Sequence, residues 1–214
     1  MRTTDLFEDS LADALRGSGL TLLRGFALPL GRAWLEDLER VTNAAPFRHM
    51  MTPGGQRMSV AMTNCGTAGW VTDRTGYRYD RLDPDSGRPW PAMPDSFATL
   101  ARRAAAEAGF EAFEPDACLI NCYLPGARMS LHRDRDERDY AAPIVSVSLG
   151  LPATFLWGGL ERVDRPRRIP LAHGDVVVWG GPARLAFHGV APLADGCHET
   201  LGRRRINLTL RRAL

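Results

Sequence analysis

The sequence contains no lysine, so all 27 of its basic residues are arginine. A GC-rich genome explains this bias more simply than a functional demand for guanidinium groups does. A strong net charge is also missing, because the 25 acidic residues leave the chain at only +2. The composition therefore gives no sign of a strongly basic protein that binds nucleic acid through overall charge alone.

Paired cysteines and long apolar runs are missing as well. The four cysteines (65, 118, 122 and 197) form no C-x-x-C motif and no zinc-ribbon spacing, which favours reduced thiols in the cytoplasm. No run approaches the length of a membrane span, and the first nine residues contain no apolar signal core. We therefore expect a cytoplasmic protein that has no membrane partner.

The hydrophobic periodicity changes from helical to strand-like along the chain. It predicts helices over 8–16, 31–45 and 95–109, and a strand over 20–26. The later part is nearly all strand, with runs over 116–123, 144–150, 153–157, 168–171, 175–179, 184–188 and 204–212. Helices followed by many short strands predict an α+β fold in which helices brace one sheet of a sandwich, barrel or jelly roll. Residues 50–79, with dispersed methionines and aromatics, fit either a lid over a binding site or an ordinary core hairpin.

The stretch around His132-Arg133-Asp134 carries a potential metal site. In an extended backbone, His132 and Asp134 point to the same side, because side chains alternate across a strand. One histidine and one carboxylate are two thirds of the ligand set that holds a non-haem Fe(II). The third ligand should be a distant histidine, and His188 is our choice among the five in the chain, whereas we treat His49 and His173 as structural.

The last predicted strand alternates strictly between apolar and polar residues. Ile206, Leu208 and Leu210 occupy one face, and the other face carries Arg205, Asn207, Thr209 and Arg211. This is either an edge strand whose polar face meets water, or a strand whose arginines point into the barrel beneath a helical layer. Buried guanidinium groups need anions. Two of them therefore suggest a dianionic ligand, or one anion and a structural partner.

A second strand extends this polar interior. In Asn121-Cys122-Tyr123 the amide and the phenol share one face, while Cys118 and Cys122 point to the outer one. The interior then collects arginines, asparagines, a tyrosine and the potential metal ligands. A small dicarboxylate that also chelates iron fits this set.

The motifs described above resemble those of the AlkB family of nucleic-acid dealkylases. In chain order they are Asn121-x-Tyr123, His132-x-Asp134, His188 and Arg205-x-Asn207-x-Thr209-x-Arg211. The resemblance extends to residues 52–55, 58–66, 115–121 and 142–150 and covers roughly residues 5–212. It implies a dioxygenase that uses Fe(II), 2-oxoglutarate and O2, built on a double-stranded β-helix, or jelly roll. By this resemblance, residues 1–114 form N-terminal helices and a nucleotide-recognition lid, and residues 115–214 form the catalytic core of one compact unit.

The resemblance also implies roles for single residues. His132, Asp134 and His188 would bind the iron. One arginine would bind the distal carboxylate of 2-oxoglutarate and the other would lie near its iron-chelating end, and the implied set for this cosubstrate is Asn121, Tyr123, Arg205, Asn207, Thr209 and Arg211. The implied substrate contacts are Trp70, Tyr77, Tyr79, Asp136 and Arg162, and Asp136 is counted with the catalytic residues as well.

The implied reaction is oxidative demethylation of bases such as 1-methyladenine and 3-methylcytosine, with release of formaldehyde, succinate and CO2. Lesions are out of reach inside a duplex, so single-stranded DNA is the expected substrate, with RNA or a flipped base in duplex DNA as open alternatives. Trp70 and His132 would sandwich the base, and the Asp136 carboxylate would favour bases that alkylation has made cationic. The arginines at 162, 165, 167 and 168 would contact phosphates, or else form a solvated turn.

Two other functions stay open. A 2-oxoglutarate oxygenase of this kind could act on a small molecule or a protein. A jelly-roll module that binds metal without catalysis would keep the triad but would need no paired interior arginines. For each of these functions the sequence predicts a monomer.

Overall fold

A computed structural model describes residues 15–214 of the chain. Besides the helical residues 15–16 at its start, this part contains the helices α1 (Gly31–Ala44) and α2 (Asp95–Glu107) and two short 3-10 turns, Leu28–Leu30 and Gly181–Ala183. Its strands, in chain order, are β1 (Leu20–Leu23), β2 (Ala61–Gly66), β3 (Gly69–Asp73), β4 (Gly76–Asp80), β5 (Ala117–Tyr123), β6 (Met129–His132), β7 (Ile144–Gly150), β8 (Ala153–Trp157), β9 (Arg167–Leu171), β10 (Val176–Trp179), β11 (His188–Val190) and β12 (Arg205–Arg211).

Most of these strands form two antiparallel sheets. The larger sheet has the order β1-β10-β7-β12-β5-β2, and the smaller one has the order β6-β11-β8-β9. Residues of both sheets share one buried apolar cluster, which includes Met62 and Leu119 from the larger sheet and Phe155 and Ile169 from the smaller one. Two facing antiparallel sheets around a common interior make a jelly roll, so the predicted α+β jelly roll is confirmed.

The two helices cover the outer face of the larger sheet. β12 is a central strand, paired with β5 on one side and β7 on the other. Its apolar residues join a second buried cluster that includes Trp34 and Leu38 of α1, Phe97 and Leu100 of α2, and Cys118 and Cys122 of β5. Burying one such aliphatic or aromatic side chain contributes about 1.5–3 kcal/mol. This packing fixes the apolar face of β12 outwards and therefore turns its polar face to the interior.

The predicted helices and strands within the described residues are present, except that one strand ends early and another is absent. The helices over 31–45 and 95–109 are present, and Gly109 follows α2 with a φ of 87°. The strand over 20–26 ends early, at Leu23, because Gly25 turns the chain with a φ of 59°. The helix over 8–16 falls, apart from its last two positions, outside the described residues.

The predicted strand over 184–188 is wrong. Residues 181–183 form a 3-10 turn that begins at Gly181, with a φ of 54°, and includes Pro182, and β11 begins only at His188. The side chain of Arg184 is buried and bonds to backbone carbonyl groups of another segment, which holds this stretch away from a strand ladder.

β3 and β4 form a hairpin apart from the two sheets. The side chain of Asn64 holds it in place, since it accepts a hydrogen bond from Trp70 N and donates one to Trp70 O, both at 3.0 Å. Trp70 is half-buried, and Tyr77 is 49% exposed. The hairpin therefore presents an aromatic surface to solvent. Within the described residues, no helix combines the length and apolar character that a membrane crossing requires.

Candidate active site

The three residues chosen as metal ligands lie together at the end of the smaller sheet. His132 and His188 are paired across β6 and β11, with ring centroids 4.4 Å apart. Asp134 follows β6, and its carboxylate oxygens lie 3.6 Å from Nε2 of His132 and 3.8 Å from Nε2 of His188. One nitrogen or oxygen atom from each residue lies within 4.8 Å of the others, so the three could hold one metal ion.

Both imidazoles are oriented for ligation by their second nitrogen. Nδ1 of His132 lies 2.8 Å from Ser130 O, and Nδ1 of His188 lies 3.1 Å from Ala186 O. A carbonyl oxygen can only accept, so each Nδ1 carries the hydrogen and each Nε2 keeps its lone pair. Hydrogen bonds of this kind fix the tautomer and ring orientation of metal-binding histidines.

The surroundings keep these ligands in the protonation states that a metal ion needs. Burial, together with the neighbouring His132, lowers the pKa of His188 to about 4. Burial alone would raise the pKa of Asp134, but the Arg211 guanidinium and the two imidazoles hold it well below its usual range. At neutral pH the site therefore presents a neutral imidazole and a carboxylate.

Arg211 links the triad to a buried ionic network. Its Nε and Nη2 donate to one carboxylate oxygen of Asp134, at 3.0 and 2.6 Å. Its Nη1 lies 3.3 Å from Tyr79 Oη, and that hydroxyl donates to Glu137 Oε1 at 2.8 Å. The second oxygen of Glu137 lies 3.1 Å from Nη2 of Arg184. Burial would lower the pKa of Arg211, yet the surrounding anions raise it, so the group stays charged.

Arg205, in contrast, has polar atoms without partners. Its Nη2 donates to Ser148 Oγ at 2.9 Å, and its guanidinium lies over the Tyr123 ring at 5.0 Å. Within the described part of the chain, its Nε and Nη1 are buried without a hydrogen-bond partner, and so is Oδ1 of Asn121. A buried cation with free donors fits a carboxylate, and the His-Asp-His set fits Fe(II). The residues present therefore match a metal-chelating dicarboxylate.

These groups surround a small interior cavity of about 50 Å³. Its lining comprises Asn121, Tyr123, His132, Ser146, His188, Arg205, Asn207, Thr209, Arg211 and several apolar residues, Phe155 and Trp179 among them. The structure thus brings all the residues assigned to 2-oxoglutarate to the same cavity as both histidines. A larger, open depression of about 480 Å³ lies between α1 and the start of α2, but it is remote from these residues.

The aromatic hairpin reaches the segment that follows Asp134. Trp70 Nε1 donates to Asp136 Oδ2 at 2.7 Å, and the Trp70 ring stacks on Tyr77 with centroids 5.7 Å apart. Tyr79, on the same hairpin, bonds to the buried Glu137. Three of the residues expected to contact substrate thus lie on one hairpin beside the exposed carboxylate of Asp136.

Of the arginines expected to contact phosphates, Arg162 and Arg165 lie on the connection between β8 and β9, and Arg167 and Arg168 begin β9. Arg162, Arg165, Arg167 and Arg168 are all exposed. Arg162 lies over the ring of Phe187, 5.1 Å from its centroid, and Phe187 directly precedes His188 in the sequence. The two histidines expected to be structural bond to backbone atoms instead: His49 to Met58 O and His173 to Gly150 N.

Sequence reasoning missed four polar residues of this region. Ser146 and Ser148 alternate with valines in β7 and bond to Asn207 and Arg205, so their alternation was a usable signal. Glu137 lies in a run of charged residues that is typical of a solvated loop. Arg184 was missed because it was assigned to the incorrectly predicted strand over 184–188. Both charges are nearly fully buried, at 2% and 3% side-chain exposure.

Comparison with known proteins agrees with this geometry. The family model described as the 2OG-Fe(II) oxygenase superfamily matches residues 19–211. The alpha-ketoglutarate-dependent dioxygenase AlkB of Escherichia coli K12 is 56% identical over 196 residues, which cover 92% of this chain and 91% of that one. The DNA N(6)-methyladenine demethylase ALKBH1A of Arabidopsis thaliana is 36% identical over 129 residues, 59% of this chain and 37% of the relative.

A solved structure extends the likeness to the fold. The structure of OsALKBH1 superposes with a TM-score of 0.77 at 26% identity, covering 91% of this chain and 97% of that one. Alpha-ketoglutarate is 2-oxoglutarate, the metal-chelating dicarboxylate to which the cavity is suited. The chain therefore belongs to the AlkB family of dioxygenases, whose cofactors are Fe(II), 2-oxoglutarate and O2.

Proposed function

We propose that this enzyme removes methyl groups from alkylated bases in single-stranded DNA and so repairs DNA by direct reversal. The observation that supports the proposal is that three features lie together: the His-Asp-His triad, the buried Arg205 guanidinium with two unpartnered nitrogens, and the aromatic hairpin. A module that only bound metal would have no use for the second feature. The AlkB and ALKBH1A names of the relatives support a dealkylase acting on nucleic acid.

His132, Asp134 and His188 would hold Fe(II), each through one atom. When bound, the iron and 2-oxoglutarate supply the oxidation of an N-methyl carbon by O2, with succinate and CO2 as products, and the resulting hydroxymethyl group leaves as formaldehyde. The protein contributes position and charge. Arg211 keeps the Asp134 carboxylate ionised and aimed, and Asp134 in turn neutralises the buried guanidinium.

The cosubstrate would lie along the polar face of β12. Arg205, at the far end from Asp134, would pair its free Nε and Nη1 with the distal carboxylate, and Tyr123 would complete that contact. The side chains of Asn207 and Thr209 are already bonded to each other at 3.2 Å, so they present a fixed polar wall. The free carboxamide oxygen of Asn121 can only accept, so it would bond to a water molecule bound to the same ligand.

The damaged base would lie between Trp70 and His132. A base stacked on an aromatic side chain gains on the order of 1–3 kcal/mol. The Trp70 indole is fixed by its bond to Asp136, so the same carboxylate that orients the ring also places a negative charge beside the base. Alkylation makes 1-methyladenine and 3-methylcytosine cationic, and this charge would favour them. Tyr77, exposed at the hairpin surface, would contact the strand beside the lesion.

The nucleic-acid strand would pass over the β8–β9 connection and the start of β9. The exposed arginines of the protein at these positions can neutralise phosphates, which supplies sequence-independent affinity despite the low net charge. Arg162 contacts Phe187, the residue that precedes the metal ligand His188. The salt dependence of oligonucleotide binding should therefore weaken in variants of this connection.

One experiment tests the reaction. Protein is reconstituted anaerobically with Fe(II) and 2-oxoglutarate, exposed to air with a single-stranded oligonucleotide that contains 1-methyladenine, and followed by mass spectrometry. Loss of one methylene, coupled to succinate and formaldehyde, supports the proposal. Succinate without demethylation would favour the oxygenase of small molecules or proteins instead. Parallel RNA and duplex substrates rank the remaining nucleic acids.

We further infer that the enzyme acts as a monomer in the cytoplasm. Cys65, Cys118 and Cys122 are buried free thiols, as expected in a reducing compartment. Light scattering on the active protein tests the monomer, and fractionation of cells tests the compartment.

A further inference from the structure

We propose that Arg184 is a positioning residue for the active site: it holds residues 134–142, which include Asp134 and Asp136, in the geometry that catalysis needs. The inference rests on the proposed function and goes beyond it, since Arg184 contacts neither the cavity nor the aromatic hairpin. Its side chain is buried, and it lies in the short connection between the 3-10 turn at Gly181–Ala183 and β11.

The guanidinium of Arg184 contacts both ends of this segment and its middle. Nη1 donates to Asp134 O at 2.9 Å, and Nε donates to Ala142 O at 3.0 Å. Nη2 lies 3.1 Å from the carboxylate of Glu137, and the group lies over the ring of Tyr140, 5.5 Å from its centroid. One side chain thus joins four positions of a nine-residue segment.

The segment needs such an anchor because it has little regular structure. It lies between β6 and β7 and belongs to neither strand. A backbone hydrogen bond also joins it to the end of the chain, from Arg138 N to Ala213 O at 3.2 Å. The ligand Asp134 therefore lies just past the last residue of a strand, where a ladder no longer fixes its backbone. Arg184 supplies a bond to the carbonyl of that same residue.

Only arginine can fill this role. Its planar fork carries donors that point in different directions, whereas the single ammonium of lysine cannot reach the two carbonyls and the carboxylate together. The carbonyls accept from Arg184 along two edges of the group, and the Glu137 anion balances its charge. Glu137 also bonds to Tyr79 and lies 3.2 Å from Nε of Arg211, so Arg184 supports the ionic network around Asp134 from the side away from the cavity.

Arg184→Lys tests the proposal, with Arg24→Lys as the matched control. Arg24 also donates to a carbonyl, Pro170 O, and to the buried carboxylate of Asp175, but it lies at the opposite end of β10 from the cavity residue Trp179. The measurements are the melting temperature and the dissociation constant of Fe(II), titrated anaerobically with 2-oxoglutarate present. Loss of an outer partner of a metal ligand typically weakens metal binding on the order of 10–100-fold.

We expect that loss for Arg184→Lys and wild-type iron affinity for Arg24→Lys, although both variants melt at lower temperature. Wild-type iron affinity in both variants, with lowered melting temperatures, would mean that Arg184 is structural only and would overturn the inference while leaving the proposed function intact. If the wild-type protein itself bound no Fe(II) with 2-oxoglutarate, the proposed function would fall, and this inference with it.

A second measurement needs no variant and so covers the case in which Arg184→Lys does not fold. Hydrogen exchange of the metal-free wild-type protein reports on the backbone of residues 134–142. If Arg184 holds the segment, the backbone amides of residues 134–142 are protected from exchange before iron is added. Adding iron with 2-oxoglutarate then changes their exchange rates little. Full exchange without iron, followed by protection on loading, would show that the metal orders the segment and Arg184 does not.

Discussion

Arg205→Met separates the cost of the buried guanidinium in the free protein from its benefit in ligand binding. Arg205 is 1% exposed, one of its nitrogens donates to Ser148, and two others have no partner among the described residues. A buried donor without a partner costs about 1–3 kcal/mol. Methionine keeps most of the length of the side chain but removes both charge and donors. The unliganded variant should therefore gain about 1–3 kcal/mol, or about 2–12 °C in melting temperature.

The same substitution, Arg205→Met, should weaken the binding of 2-oxoglutarate. Removing one partner of a buried charge pair costs about 2–5 kcal/mol. At 1.4 kcal/mol per factor of ten, the dissociation constant should rise roughly 30- to 4,000-fold. Thermal melts with and without 2-oxoglutarate, at fixed Fe(II), measure both effects in one assay.

Arg24→Met is the control for this pair of effects. It removes a guanidinium whose Nη1 donates to Asp175 and to Pro170 O, so it should lower the melting temperature and leave 2-oxoglutarate binding unchanged. If Arg205→Met melted below the wild type and bound 2-oxoglutarate as tightly, the assignment of Arg205 to the distal carboxylate would be refuted.

Three further predictions concern single groups. Asp134→Asn should abolish Fe(II) binding in an anaerobic titration, because a neutral amide is a weaker ligand and the buried Arg211 loses one of its two anionic partners. Asp136→Asn should reduce turnover of the cationic 1-methyladenine several-fold more than that of the neutral ethenoadenine, measured on matched oligonucleotides. His173→Gln should flatten the pH dependence of the melting temperature. Burial and the neighbouring His198 lower the pKa of His173 from its usual 6.5, so wild-type stability is fully present above pH 6.5 and declines as the pH falls towards the folded-state pKa.

Each of these has a contradicting outcome. Stoichiometric iron in Asp134→Asn would exclude that carboxylate as a required ligand. Equal losses on both lesions in Asp136→Asn would remove the selectivity argument. For His173→Gln, an unchanged slope of stability below pH 6.5 would show that other groups dominate acid sensitivity.

The interior of the barrel could be predicted from sequence because it depends on strand alternation. β12 alternates strictly, and a central strand with helices on one side has only one place for its polar residues. The same alternation in β5 placed Asn121 and Tyr123 together. Here the local alternation and the overall fold place the polar side chains on the same face. A few residues were therefore enough to predict which side chains line the interior.

The network behind the triad could not be predicted in that way. Glu137 lies in a run of arginines and aspartates that is typical of a solvated loop, yet it is buried because Arg184, Arg211 and Tyr79 reach it from three other elements. Arg184 itself was assigned to a strand, since the apolar residues that follow it outweighed Gly181 and Pro182. Contacts between distant segments, and not the local pattern, decide both positions.

Arg205 and Arg211 line one cavity, and Asp134 is paired with Arg211, which has a thermodynamic consequence for how strongly the two ligands bind. Fe(II) alone adds a divalent cation beside two buried guanidinium groups, and 2-oxoglutarate alone adds a dianion where Asp134 and Glu137 already lie. Only when both are present is the buried charge the same as in the free protein. Each ligand must therefore raise the affinity of the other by the same factor, since linkage is reciprocal. A shortage of either ligand therefore lowers the fraction of the enzyme that holds the other.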